Sequence, residues 1–184
     1  MAKILIGYAT NEGQVAKIVN AITVQLRALR HTVHSADLAT DCSDCDPGGY
    51  DAVIVAASVH AGKHQAQAVR FVKQYRDSLQ QCTTAFLSVS LSAAATEQAG
   101  LRQADEQLEA FLRETAWQPD MVETVAGAFR YSRFSRIWRW IIRLANKLAN
   151  KDFARLGWPD LTYDQEFTDW HALRYFGQRF ADRL

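Results

Sequence analysis

Five short apolar runs recur along the chain with room for a helix between most of them. This rhythm constrains the fold more than any other feature of the sequence. Residues 3–9 (KILIGYA), 51–58 (DAVIVAAS) and 83–89 (TTAFLSV) are apolar at successive positions rather than alternate ones. Both faces of such strands meet a core, which is the mark of a parallel sheet covered on both sides. Residues 32–38 form a weaker strand, and 122–129 complete the set. Between them lie apolar residues at helical spacing: Val15, Ile18, Val19, Ile22, Leu26 and Leu29 in 14–30; Val69, Val72 and Leu79 in 64–79; and Leu101, Ala104, Leu108, Phe111 and Leu112 ahead of Pro119. Trp170, Leu173, Phe176, Phe180 and Leu184 mark a last helix. Right-handed crossovers turn this alternation into a doubly wound α/β sandwich. Five strands predict the flavodoxin-like order 2-1-3-4-5 rather than a six-stranded dinucleotide fold, with ligands at the carboxyl ends of the strands.

At 184 residues the chain predicts a single domain, 1–184, carrying an insert at about 129–160 near the last strand. Its 21 Lys and Arg against 20 Asp and Glu exclude a uniformly basic nucleic-acid binder. The balance is uneven, however. No acid occurs between Glu123 and Asp152, whereas Arg130, Arg133, Arg136, Arg139, Arg143, Lys147 and Lys151 all do. At helical pitch six of these, from Arg133 onward, share one arc of about 120°. Phe134, Ile137, Trp138, Ile141, Ala145 and Leu148 lie opposite. A basic stripe facing an apolar, Trp-bearing stripe suits a helix lying in a membrane interface. A core-packing helix with a solvated basic face explains the apolar side equally well, but not the absence of acids. The opening apolar run is too short for a signal peptide, and no uncharged stretch reaches the ~18 residues needed to span a bilayer. The expected location is cytoplasmic, bound peripherally to the inner membrane.

The turn after the first strand, Thr10-Asn11-Glu12-Gly13-Gln14-Val15, has two readings. Unpaired N–H groups at a helix start favour an anion, with Thr10 adding a hydroxyl and Gly13 allowing close approach. Alternatively, Asn11 with Gln14 three residues on is a helix cap that needs no ligand. There is no Gly-Lys-Ser/Thr and no G-x-G-x-x-G, so triphosphate and dinucleotide loops are disfavoured. Cys42-Ser43-Asp44-Cys45 lacks a second ligand pair for zinc and reads as two unpaired loop thiols; no metal site is expected. With three Cys in all, a reducing compartment is the default.

Thr10-x-Glu12-Gly13-Gln14 after a first strand resembles the FMN phosphate loop of flavodoxin-like proteins. Trp117-Gln118-Pro119-Asp120, Ala126-Gly127-Ala128-Phe129-Arg130-Tyr131 and Thr168-Asp169-Trp170 resemble, in the same order, the menaquinone-dependent protoporphyrinogen oxidases of bacterial haem synthesis. Val15 stands where that family often has a Thr hydroxyl. The resemblance implies FMN held by Thr10, Asn11, Glu12, Gly13, Gln14 and Val15. The flavin ring would lie against Ser58, Val59, His60 and Gly62 and against Ser88, Val89, Ser90 and Leu91. Because flavin carries the redox chemistry, His60 is the sole candidate for proton handling, with a surface loop histidine as its plain alternative. The implied reaction oxidises protoporphyrinogen IX to protoporphyrin IX and passes electrons to a membrane quinone, menaquinone. Arg130 and Arg133 would pair with substrate propionates. Arg136, Trp138, Arg139, Arg143 and Lys147 would meet substrate or the membrane surface. A flavodoxin-type electron carrier, or another FMN-dependent quinone oxidoreductase, is the rival reading.

Overall fold

The structure is a computed structural model, and it describes residues 1–40, 45–129 and 164–184. Five parallel strands form the sheet: β1 (Lys3–Ala9), β2 (Thr32–Asp37), β3 (Ala52–His60), β5 (Thr83–Ser90) and β6 (Met121–Ala126). Their order is β2-β1-β3-β5-β6, the order expected from the sequence. A short strand β4 (Lys63–His64) folds back antiparallel on β3, pairing His60 with Lys63.

Successive residues of each central strand serve opposite cores. Ile4, Ile6, Ile54, Ala56, Leu87 and Val89 face helices α1 (Gln14–Ala28) and α5 (Trp170–Ala181). Leu5, Val53, Val55, Ala57 and Phe86 face α2 (Ala66–Gln74), α3 (Arg76–Leu79) and α4 (Gln98–Thr115). Each fully buried aliphatic side chain contributes about 1.5–3 kcal/mol, so this two-faced pattern is what commits the sequence to three layers. The second core is the more aromatic. Phe86 stacks on Phe111 with ring centroids 4.2 Å apart, and buried Trp117 meets Phe86 edge-on. Beside Trp117, the Asp120 carboxylate accepts from the Thr84 backbone N–H at 2.7 Å and fixes the start of β5. The Trp117–Asp120 motif therefore shapes the sheet rather than a site.

The helix expected over 64–79 divides at Tyr75, and His64 belongs to β4 instead. The strand expected over 122–129 ends at Ala126. After Gly127 the chain turns into β7 (Ala128–Phe129), which pairs antiparallel with β8 (Gln165–Glu166). Leu29, Leu101 and Leu184 fit the apolar spacing but are exposed, each at or near an end of its helix. Cys45, expected as an unpaired thiol, is disulfide-bonded and buried in the second core. This removes the support that unpaired cysteines gave to a reducing compartment. Cys42 lies outside the described residues. Cys82 is a free thiol whose pKa is pushed up by burial and by the nearby Asp120 carboxylate. The insert expected at about 129–160 falls almost wholly on residues 130–163, outside the described residues.

Candidate functional site

A cavity of about 290 Å³ opens at the carboxyl ends of β1, β3 and β5, where a doubly wound sheet places its ligands. Five segments wall it: the turn from β1 into α1, the β3–β4 hairpin, the end of β5 with the residues after it, Gln103 and Gln107 of α4, and Gly127-Ala128 after β6.

The first wall is a turn without a side-chain cap. Gly13 is the N-cap residue of α1, at φ 83°, and makes no side-chain cap hydrogen bond. The Asn11 cap expected as the plain alternative does not form. Thr10 Oγ1 instead accepts from the Gly13 N–H at 3.0 Å, closing the turn on itself. Gly13 is needed for its backbone alone: its left-handed φ strains any other residue, whereas the space where a Cβ would sit is open. Among the described residues no side chain is bonded to the N–H groups of the first turn, the arrangement that receives an anion. Val15, expected among the cofactor contacts, is fully buried in the first core and reaches the cavity only as part of its floor. A core position favours Val over the hydroxyl of Thr.

The second wall is a two-residue turn. Ala61 and Gly62 have φ of 49° and 79°, as the central pair of a type I′ hairpin turn requires. Ser58, Val59, His60 and Gly62 line the cavity as expected, joined by Ala61. His60 is exposed at the hairpin tip. The buried imidazole is that of His64, one strand pair below. It sits 2.9 Å from Ser88 Oγ, with its ring 5.0 Å from Phe111 and 5.3 Å from Phe86. Desolvation lowers its pKa to about 4, so it is neutral at pH 7. Ser88, expected as a cofactor contact, is fully buried and does not line the cavity, because its hydroxyl is turned inward to His64.

Val89, Ser90 and Leu91 do line the cavity. Ser92, in the same loop, joins them, and beyond it the sequence reading missed Gln103 and Gln107. The usable signal was Gln107 itself, which lies three residues after Ala104 and four before Phe111 within the inward stripe of α4, where a polar residue is out of place. Gln107 donates weakly to Ser92 Oγ at 3.5 Å, and Ser92 donates to Gln103 Oε1 at 3.3 Å. The Oε1 atoms of Gln107 and Gln14 are buried without a hydrogen-bond partner. Both residues border the cavity. A buried acceptor left unpaired costs about 1–3 kcal/mol, a cost that a ligand offering donors removes. The wall therefore asks for an anion at the α1 end and O–H or N–H donors along its length. Among the described residues no cluster of His, Cys, Asp or Glu could hold a metal.

The flavodoxin-domain model matches residues 5–155. The chain belongs to that family. Protoporphyrinogen IX dehydrogenase (quinone) of Escherichia coli strain K12 is 29% identical over 181 residues, covering 97% of this chain and 94% of the relative. A protein of the same name from Leishmania major is 28% identical over 185 residues, covering 97% and 74%. Among solved structures, oxidised flavodoxin 1 from Bacillus cereus superposes with a TM-score of 0.57 at 13% identity, covering 99% of both chains. Flavodoxin 2 of the same organism gives 0.51 at 17%, with all of both chains covered. These likenesses establish the flavodoxin fold. Arg130, Arg133, Arg136, Trp138, Arg139, Arg143 and Lys147 lie outside the described residues, so their expected roles rest on the sequence.

Proposed function

We propose that this chain is an FMN-dependent enzyme of haem biosynthesis that oxidises protoporphyrinogen IX to protoporphyrin IX and delivers the electrons to a membrane quinone, menaquinone. The observation that carries the reading is the cavity. An uncapped helix start suits a phosphate, and the unpaired acceptors of Gln14 and Gln107 suit a polyol chain and a ring N–H. FMN combines all three. Thr10, the N–H groups around Gly13, and Gln14 would hold its phosphate and ribityl chain, while Val59 to Gly62 and Val89 to Ser92 would flank the ring. When bound, the flavin takes an electron pair from one partner and yields it to another.

The protein supplies a shaped, partly apolar slot that orients both partners and limits water. His60, exposed at the hairpin tip, is the histidine placed to exchange a proton with a substrate at the mouth. His64 is neutral and turned inward, so it anchors the hairpin rather than moving protons. The substrate assignment draws on the named relatives, which match over nearly the whole chain.

Membrane association draws on the acid-free basic segment, whose +7 formal charge attracts anionic lipid. Its stems, β7 and β8, adjoin Gly127 and Ala128 in the cavity wall. A quinone held in the bilayer surface would then be near the flavin edge. No described helix is long and apolar enough to cross a membrane.

The test is an anaerobic assay with added FMN and a menaquinone analogue, following porphyrin fluorescence above the non-enzymatic rate. Quinone-dependent growth that vanishes without FMN is the expected result. Bound FMN without turnover would point to the electron carrier instead, and failure to bind FMN would overturn both. Neutralising Arg130 and Arg133 together should raise the substrate KM by about tenfold or more, at roughly 1.5–3 kcal/mol per charge-assisted contact. An unchanged KM removes them from the substrate site.

A further inference from the structure

Thr168 lies in the segment that returns to the domain ahead of α5, far from the phosphate loop in sequence but packed against it. Its hydroxyl has one hydrogen, donated to the Ala126 carbonyl at 2.8 Å. The Thr168 oxygen therefore meets Gln14 as an acceptor, receiving the Gln14 Nε2–H at 3.0 Å. This chain of donors fixes which way round the Gln14 amide sits. Were the amide reversed, two oxygens would face each other with no hydrogen between them. The consequence is that Gln14 Oε1 is left as an unpaired acceptor, buried at the border of the cavity. Gln14 and Thr168 are only 4% and 8% exposed, so water does not scramble the arrangement. One turn along α1, Lys17 pairs with Glu166 at 2.9 Å and holds the same segment from outside.

Resting on the FMN reading above, we infer that Thr168 is a positioning residue of the cradle. It orients the Gln14 amide so that the carbonyl oxygen accepts from a hydroxyl of the ligand's polyol chain. A carbonyl oxygen repels a phosphate oxygen, so the phosphate goes to the backbone N–H groups and the neighbouring hydroxyl to Gln14. The terminal amide torsion is broad, and a small rotation brings the oxygen to a donor in the cavity. Without the Thr168 hydroxyl the amide is no longer held one way round, and the carbonyl acceptor is lost to the ligand whenever it reverses.

Flavin binding by fluorescence quenching tests this on Thr168→Val, Thr168→Ser, Gln14→Leu and the double variant Gln14→Leu/Thr168→Val, with apo melting temperatures alongside. Thr168→Val and Gln14→Leu should each weaken FMN about tenfold, the worth of one hydrogen bond at roughly 1.4 kcal/mol. The double variant should bind no worse than Gln14→Leu alone, and Thr168→Ser should stay within about twofold of the parent. Riboflavin, which lacks the phosphate but keeps the polyol, should show the same loss. Additive losses in the double variant, an undiminished affinity in Thr168→Val, or a loss confined to FMN would each overturn the inference. If Thr168→Val does not fold, Thr168→Ala takes its place in the same comparison with Gln14→Leu, for FMN and for riboflavin. A parent protein that binds no flavin overturns the proposed function instead, a result distinct from all of these.

Discussion

Two turns of the cavity wall make the same shape by different means. The β1–α1 turn and the β3–β4 hairpin each follow a sheet strand, each contain a glycine at a φ of about 80°, and each line the same space. The first is held by its own neighbours: Thr10 closes it and α1 continues from it. The second is held from beneath by a buried side chain, His64, packed against the stacked Phe86–Phe111 pair and tied to Ser88. A locally held turn responds to backbone changes. A turn held by a buried ionisable group responds to pH as well.

The largest difference expected between them is acid sensitivity. His64 titrates near 6.5 when unfolded and at about 4 when folded. Its contribution is complete above pH 6.5 and is lost as pH falls towards 4, because the unfolded chain binds the proton first. At about 1.4 kcal/mol per pH unit the gap is worth roughly 3 kcal/mol. Urea midpoints at pH 7.5 and 4.5 should therefore fall less on acidification in His64→Leu than in the parent. Equal slopes would show that the imidazole is not the acid-sensitive anchor.

A smaller effect separates backbone from packing. Gly13→Val and Gly62→Val both enter open space, so each pays only for left-handed backbone, about 1–2 kcal/mol. Both should lower stability by this amount. Gly13→Val should also cost FMN affinity about tenfold, since its turn aims the anion-binding N–H groups. A Gly13→Val protein with full FMN affinity would break the assignment of the phosphate to this turn.

The smallest effect runs the other way. Ala61 holds a φ of 49° in the first central position of a type I′ turn, where Asn is favoured. Ala61→Asn should stabilise the protein by up to about 1 kcal/mol, read as a rise in melting temperature. No gain would mean that the hairpin is set by His64 alone.

The contrast also explains what was legible in the sequence. Sheet order and both cores followed from strands apolar at every position, because burial on two faces leaves no other arrangement for residues such as Ile4, Leu5 and Ile6. The β1–α1 turn was legible because its residues are contiguous. His64 was assigned to a helix and Ser88 to the ligand, because their mutual contact joins residues 24 apart and leaves no local trace. Gln107 as a wall residue and Thr168 as the partner of Gln14 were missed for the same reason: each matters through partners that only the fold supplies. Cys45 looked like an exposed loop thiol because a C-x-x-C spacing does not reveal burial.

The β7–β8 pairing sets Phe129 beside Gln165. The chain therefore departs at residue 130 and re-enters after 163 through adjacent rungs of one ladder. For the rest of the domain, the excursion is equivalent to a hairpin loop. Closing a loop costs free energy only as the logarithm of its length, so this junction tolerates segments of very different size and chemistry. It is a natural graft point: one intervening segment could be exchanged there for another, while the cavity wall a few residues away keeps its geometry.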